Sequence, residues 1–128
     1  MKTVAVGGCS SSWGDLFGPA VDMAKRANVQ YMCFDHLAEL TMSLLYRMRL
    51  RDPKRGYIPD IIPWQRALLP ITKERGIKII TNAGGANPEA AGEEVVKLAK
   101  ELGLTGLKVG LVVGDDLSDR VDELRAKG

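Results

Sequence analysis

The feature that most constrains this chain is an alternation. Short, apolar, β-rich runs are separated by longer stretches in which hydrophobic residues recur at helical spacing. Four such runs occur, at residues 3–6, 29–34, 77–81 and 108–113. Strand, helix and strand in that rhythm predict parallel strands joined by helical crossovers, and near-continuous hydrophobicity marks strands covered on both faces. The helices expected between them span residues 15–27, 88–102 and 117–126, with two more in the second crossover. Leu37, Leu40, Leu44, Leu45 and Met48 make the apolar stripe of the first of that pair, which ends at Arg51-Asp52-Pro53-Lys54-Arg55-Gly56. The second covers residues 60–75 and closes at Gly76. Asn87 is placed as an N-cap, Pro88 as the first helical residue and Gly103 as the stop of the following helix.

These elements predict an α/β fold, a Rossmann-like open parallel sheet of about four strands with helices on both faces, in the order 2-1-3-4. A length of 128 residues and 45% hydrophobic content suit one domain over residues 1–128 and leave no room for a second. No internal repeat, low-complexity tract or linker divides the chain, and residues 51–60 read as a loop within the domain.

A net charge of +2 with 27% charged residues lacks the concentrated positive field that nucleic-acid binding requires. No apolar run approaches the roughly 18 residues of a membrane span. Met1-Lys2-Thr3 leads directly into Val4-Ala5-Val6 without signal-peptide architecture, so a cytoplasmic location is expected. Cys9 and Cys33 form neither a disulfide framework nor a zinc knuckle and are expected to be reduced.

Residues just past the ends of parallel strands share one edge of the sheet, where open α/β folds bind ligands. Four loops, at residues 7–15, 35–39, 82–88 and 114–116, are thereby expected on one rim. In the first, Gly7, Gly8, Cys9, Ser10, Ser11, Ser12, Trp13 and Gly14 resemble a phosphate cradle, because Gly and Ser let backbone N–H groups converge at a helix start. The loop matches neither dinucleotide nor Walker patterns, and Asp15 would compete with an anion for the helix dipole. In the third, Gly84 and Gly85 permit close backbone approach, Asn82 can donate and accept, and Ala83 and Asn87 flank them; helix initiation alone explains about half of this motif.

Asp35 is expected to cap the second helix, with His36, Glu39 and Ser43 on one polar face. His36, the only histidine, and Glu39 are candidate acid/base groups, although a lone histidine at a helix start often serves structure. Cys9 is a weaker candidate nucleophile with His36 as its base. Asp15, Asp35, Glu39, Asp115 and Asp116 could offer oxygen ligands, but they are also ordinary helix-start acids and no metal site is assigned. Arg47, Arg49, Arg51, Lys54 and Arg55 suit a helix C-terminus and could also grip a distal phosphate.

Trp13-Gly14-Asp15, the run from Leu37 to Ser43, Arg51-Asp52-Pro53 with Gly56-Tyr57, and Thr81-Asn82-Ala83-Gly84-Gly85 with Asn87-Pro88 resemble the N-terminal region of acyclic terpene utilisation (AtuA-like) proteins. The resemblance covers essentially the whole chain; the run before Trp13 departs from the family pattern. It implies a place in breakdown of acyclic terpenoids and branched acids through acyl-coenzyme A intermediates, without defining a reaction or cofactor. Family members are longer, so the resemblance implies either a fragment or one subunit of a split protein, the latter a homo- or hetero-oligomer in which another chain supplies a C-terminal part.

The expected function is therefore an enzyme or enzyme subunit of terpenoid-acid or acyl-coenzyme A catabolism, with a coenzyme A thioester as a candidate substrate. Asp35, His36, Glu39 and Asn82 would orient it or exchange protons, while Gly7, Gly8, Ser10, Ser11, Ser12, Trp13, Gly14, Asp15, Ala83, Gly84, Gly85, Asn87 and Asp115 would bind it. The alternative is a non-catalytic binding or assembly subunit whose partner covers an open sheet edge.

Overall fold

The computed structural model describes residues 3–128. Its elements, in chain order, are β1 (Val6–Ser10), α1 (Gly18–Arg26), β2 (Tyr31–Phe34), α2 (Glu39–Arg51), α3 (Ile61–Arg75), β3 (Lys78–Thr81), α4 (Pro88–Glu101), a single 3-10 turn (Ser118–Arg120) and α5 (Val121–Ala126).

The α/β class and the parallel sheet agree with the alternation in the sequence, but the sheet has three strands in the order β1-β2-β3. The expected 2-1-3-4 order is thus corrected: β2, not β1, is central. Successive right-handed crossovers that step in one direction produce this order and put their helices on one face. Met32 and Phe34 of β2 pack with Ala20 and Ala24 of α1 and with Trp64 and Leu68 of α3. α4 packs along α3 through a second cluster that includes Ile61, Leu69, Val95 and Leu98. The opposite face is uncovered, with Val6 58% and Ile80 54% exposed and Lys78 standing 5.3 Å from the Tyr31 ring centroid. The expectation of helices on both faces is corrected accordingly.

The first strand begins later than its apolar run suggests. Gly7 pairs with Met32 and Gly8 with Cys33, and the register then shifts so that Ser10 opposes Phe34. α1 lies so close that a Cβ on Gly7 would stand 2.2 Å from Met23 Sδ. Gly7 and Gly8, which look like loop residues, are therefore strand residues, and Gly7 lies under a helix where a side chain does not fit.

Helix ends with local signals fall where expected. Gly76 ends α3 at φ +69°, a left-handed value that favours glycine, and Asn87 caps α4 by accepting from Ala90 N–H at 3.3 Å. α2 departs from its pattern: Leu45 is fully buried, whereas Leu40 is 71% and Leu44 41% exposed.

The fourth apolar run does not join the sheet. Leu111 instead seats on Gly92 of α4, where a Cβ would lie 2.8 Å from Leu111 Cδ2. The segment is tied at one end by Lys73 Nζ donating to the Thr105 carbonyl, and at the other by Arg49 bonding Asp116 at 2.9 Å. It runs beside β3 as a strap. A gap lies between the two.

Candidate functional site

The rim at the strand ends is knotted by Asn82. Its Nδ2 donates to Asp35 Oδ1 at 2.7 Å, and its Oδ1 accepts from the His36 backbone N–H at 2.9 Å. Asp35 Oδ1 also accepts from Leu37 N–H at 3.4 Å, and the Ser10 hydroxyl donates to the Asp35 carbonyl at 3.1 Å. Asp35 does not cap α2, whose N-cap is Ala38 without a side-chain bond. The structure thus brings Ser10, Asp35, His36 and Asn82 together, and this contact links three of the four expected loops.

The His36 ring is 5% exposed, lies 5.2 Å from the Trp64 ring centroid, and leaves Nδ1 buried without a partner. Glu39 is exposed at the first residue of α2.

The anion cradle has an internal occupant. Asp15 Oδ2 accepts from Ser11 N–H at 2.6 Å and Ser12 N–H at 3.2 Å, while Asp15 Oδ1 accepts from the Ser12 hydroxyl at 3.2 Å. The Ser11 backbone bond, followed by the serine hydroxyls and Ser12 N–H, holds the Asp15 carboxyl below its ordinary value against a smaller opposing effect of desolvation. α1 begins at Gly18, so Asp15 does not sit on its dipole as expected. Trp13, next to it, donates through Nε1 to Asp60 Oδ2 at 3.0 Å. Burial pushes the Cys9 thiol up to about 11, with Cys33 adding to the rise and a Cys33 backbone bond opposing it. A nucleophile would need the opposite shift.

The third loop is held from below by a segment that its own sequence hardly advertises. Asn87 Nδ2 donates to the Pro53 and Arg55 carbonyls, both at 2.8 Å, and Ala86 N–H donates to the Gly56 carbonyl at 2.8 Å. Ile58, fully buried, donates its N–H to the Ala83 carbonyl at 2.9 Å. Gly85 adopts φ +52°, and a Cβ there would lie 2.4 Å from Leu45 Cδ1. Gly84 is equally confined, with Pro88 Cα 2.9 Å from its would-be Cβ. Arg49 donates to the Ala86 carbonyl at 2.7 Å, which anchors one member of the arginine cluster.

Between β3, α3, α4 and the strap lies a groove of about 600 Å³. This is within the span of roughly 300–1,000 Å³ typical of small-molecule sites. Its walls are mainly apolar, from Ile61, Leu69, Ile79, Val95, Leu107 and Leu111. Asn82, Gly84, Gly85 and Asp115 stand at its rim end, and Lys73, Ile77 and Lys108 at its other end. Leu37 lines it, whereas His36 does not. Gly7, Gly8, Ser11, Ser12, Trp13, Gly14 and Asp15 stand apart from it, on the β1 side of the sheet.

Gln65, which also lines the groove, escaped the sequence reading. A signal for it exists: it is the polar member of the α3 stripe formed by Ile61, Trp64, Leu68 and Leu69. Among the described residues no three His, Cys, Asp or Glu side chains gather closely enough to hold a metal ion. No helix there is long and apolar enough to cross a membrane.

Fold and site together define a parallel α/β domain with an apolar groove that opens at the strand-end rim. The chain belongs to the family described as acyclic terpene utilisation family protein AtuA, whose model matches residues 4–128. No curated protein and no solved structure matches it in the corresponding comparisons.

Proposed function

We propose that this chain binds a branched, largely apolar acid or its coenzyme A thioester in the groove, as an enzyme or enzyme subunit of acyclic terpenoid catabolism in the cytoplasm. The observation that carries the reading is the groove itself, apolar along its walls and charged at its ends. Family membership supports the terpenoid context. Lys73 and Lys108 favour a free carboxylate at their end, while Asp115 disfavours one at the rim. A coenzyme A thioester exceeds the groove and leaves its nucleotide outside.

Asp35 and Asn82 are the pair assigned to orient the reacting end, with Glu39 exposed nearby and His36 beneath. The three loops that were expected to line the ligand divide their work on this reading. Asn82, Gly84, Gly85 and Asp115 face it, Ala83 and Asn87 position them, and the Ser11, Ser12 and Asp15 network stiffens the neighbouring loop. Calorimetric titration with branched acids and their thioesters tests the proposal. Binding by wild type, weakened about tenfold or more in Asn82→Ala, is expected from loss of one charge-assisted hydrogen-bond network. No binding by any of these compounds would defeat it.

A second reading is favoured by the uncovered sheet face, where Val6 of β1 and Ile80 of β3 are exposed. On it the chain is an assembly subunit that buries this face against a second chain. Sedimentation at micromolar concentration separates the two readings: a monomer that binds the acids leaves only the first.

A further inference from the structure

Three features of the molecule remain unused: the exposed apolar stripe of α2, the buried His36 Nδ1 and the buried Gln65 amide. The first has nothing to identify what covers it, and the second faces the aromatic rings of Phe34 and Trp64. The third belongs to a residue on the α3 wall of the groove.

Gln65 is 6% exposed and its Oε1 has no hydrogen-bond partner. An unpaired amide in an apolar site is unfavourable, so native proteins rarely retain one without a ligand or water to satisfy it. The contrast with its neighbour is informative. Thr72, another polar α3 residue on the groove, donates its hydroxyl to the Leu68 carbonyl at 3.0 Å and is satisfied. Gln65 stands four residues into α3 from Ile61, about 6 Å below the rim along the helix axis, so it meets a ligand partway along its length.

We infer that Gln65 is a specificity-determining residue, and that the groove selects an apolar acyl chain bearing a hydroxyl partway along rather than a plain hydrocarbon chain. A hydroxyl both donates and accepts, so it satisfies the amide whichever end Gln65 presents. The apolar walls exclude a more polar chain, and the single amide sets where along the chain the oxygen must lie. This rests on the acyl-binding reading above and adds the substituent that reading leaves open.

The test is calorimetric titration of the full chain with decanoate and with its 3-, 5- and 7-hydroxy derivatives. At least one hydroxy isomer is expected to bind wild type about tenfold more tightly than decanoate, as one hydrogen bond to a buried amide supplies. Gln65→Leu should bring the isomers within about twofold of decanoate while binding decanoate at least as tightly, a factor of two being well under one hydrogen bond. Gln65→Leu should also melt no lower than wild type, because it removes an unpaired polar group; Gln65→Met repeats both measurements with an unbranched side chain. Equal binding of all four acids by wild type, or a preference that persists in both variants, overturns the inference and leaves the acyl-binding reading standing. A lower melting temperature in both variants shows that the amide is structural and also overturns it. If none of these acids binds while the branched acids or their thioesters do, the inference falls alone; if neither set binds, both readings fall.

Discussion

Replacing Gly85 by alanine tests the packing that builds the rim. At φ +52° an alanine carries the left-handed penalty of about 1–2 kcal/mol. Its methyl would also meet Leu45 Cδ1 at 2.4 Å and the Gly56 carbonyl oxygen at 3.0 Å, and overpacking of this kind costs about 1–3 kcal/mol. Lower entropy of the unfolded chain returns about 0.4–1 kcal/mol. The net expectation is a loss of about 2–3 kcal/mol, a large share of the roughly 5–15 kcal/mol that holds such a domain together. Leu45→Ala, in a fully buried position, should cost about 2–5 kcal/mol by itself.

The two changes should not add. Removing Leu45 Cδ1 clears the space that the new methyl needs, so the double variant should retain the backbone penalty but lose most of the overpacking. Its destabilisation should fall short of the summed single effects by about 1–2 kcal/mol. Urea unfolding of wild type, both single variants and the double variant measures this. Additivity within about 0.5 kcal/mol would show that Gly85 and Leu45 are not in conflict and would refute the reasoning.

Asn87→Ala removes two donors to loop carbonyls and a helix cap, and should cost about 2–3 kcal/mol in urea unfolding, whereas Asn87→Asp keeps the cap and should leave part of that loss restored. Cys9, with its thiol near 11 instead of 9.0, should alkylate with iodoacetamide at pH 7.5 about a hundredfold more slowly than an ordinary thiol; a mass-spectrometric rate within threefold of glutathione would contradict this. Asp15 has a folded-state value below 3.8, so its contribution to loop order is complete above that pH and fades as the pH falls through the lower folded value. The amide resonances of Ser11 and Ser12 should therefore share one titration centred below pH 3.8, absent in Asp15→Asn.

Sequence alone determined the features whose causes are local. The end of α3 and the start of α4 follow from Gly76, Asn87 and Pro88, because caps and stops act through hydrogen bonds to residues three to five positions away. The α/β class follows from hydrophobic period, and the rim from the shared direction of parallel strands. Asn82 and its neighbours were legible for the same reason, as polar residues just past a strand.

Tertiary structure decided what depends on residues distant along the chain. The strand order, the true start of β1 and the open sheet face follow from how crossovers stack, and apolar runs carry no record of their neighbours. Asp15 reads as a helix-start acid until its bonds to Ser11 and Ser12 are seen, and the confinement of the glycines at 84 and 85 shows only once Pro88 and Leu45 are placed against them. The run at residues 108–113 has strand composition, yet Gly92 captures Leu111 while ties near both ends hold it off β3. The groove exists because of that separation, and Gln65 acquires meaning only as the unsatisfied amide on its wall.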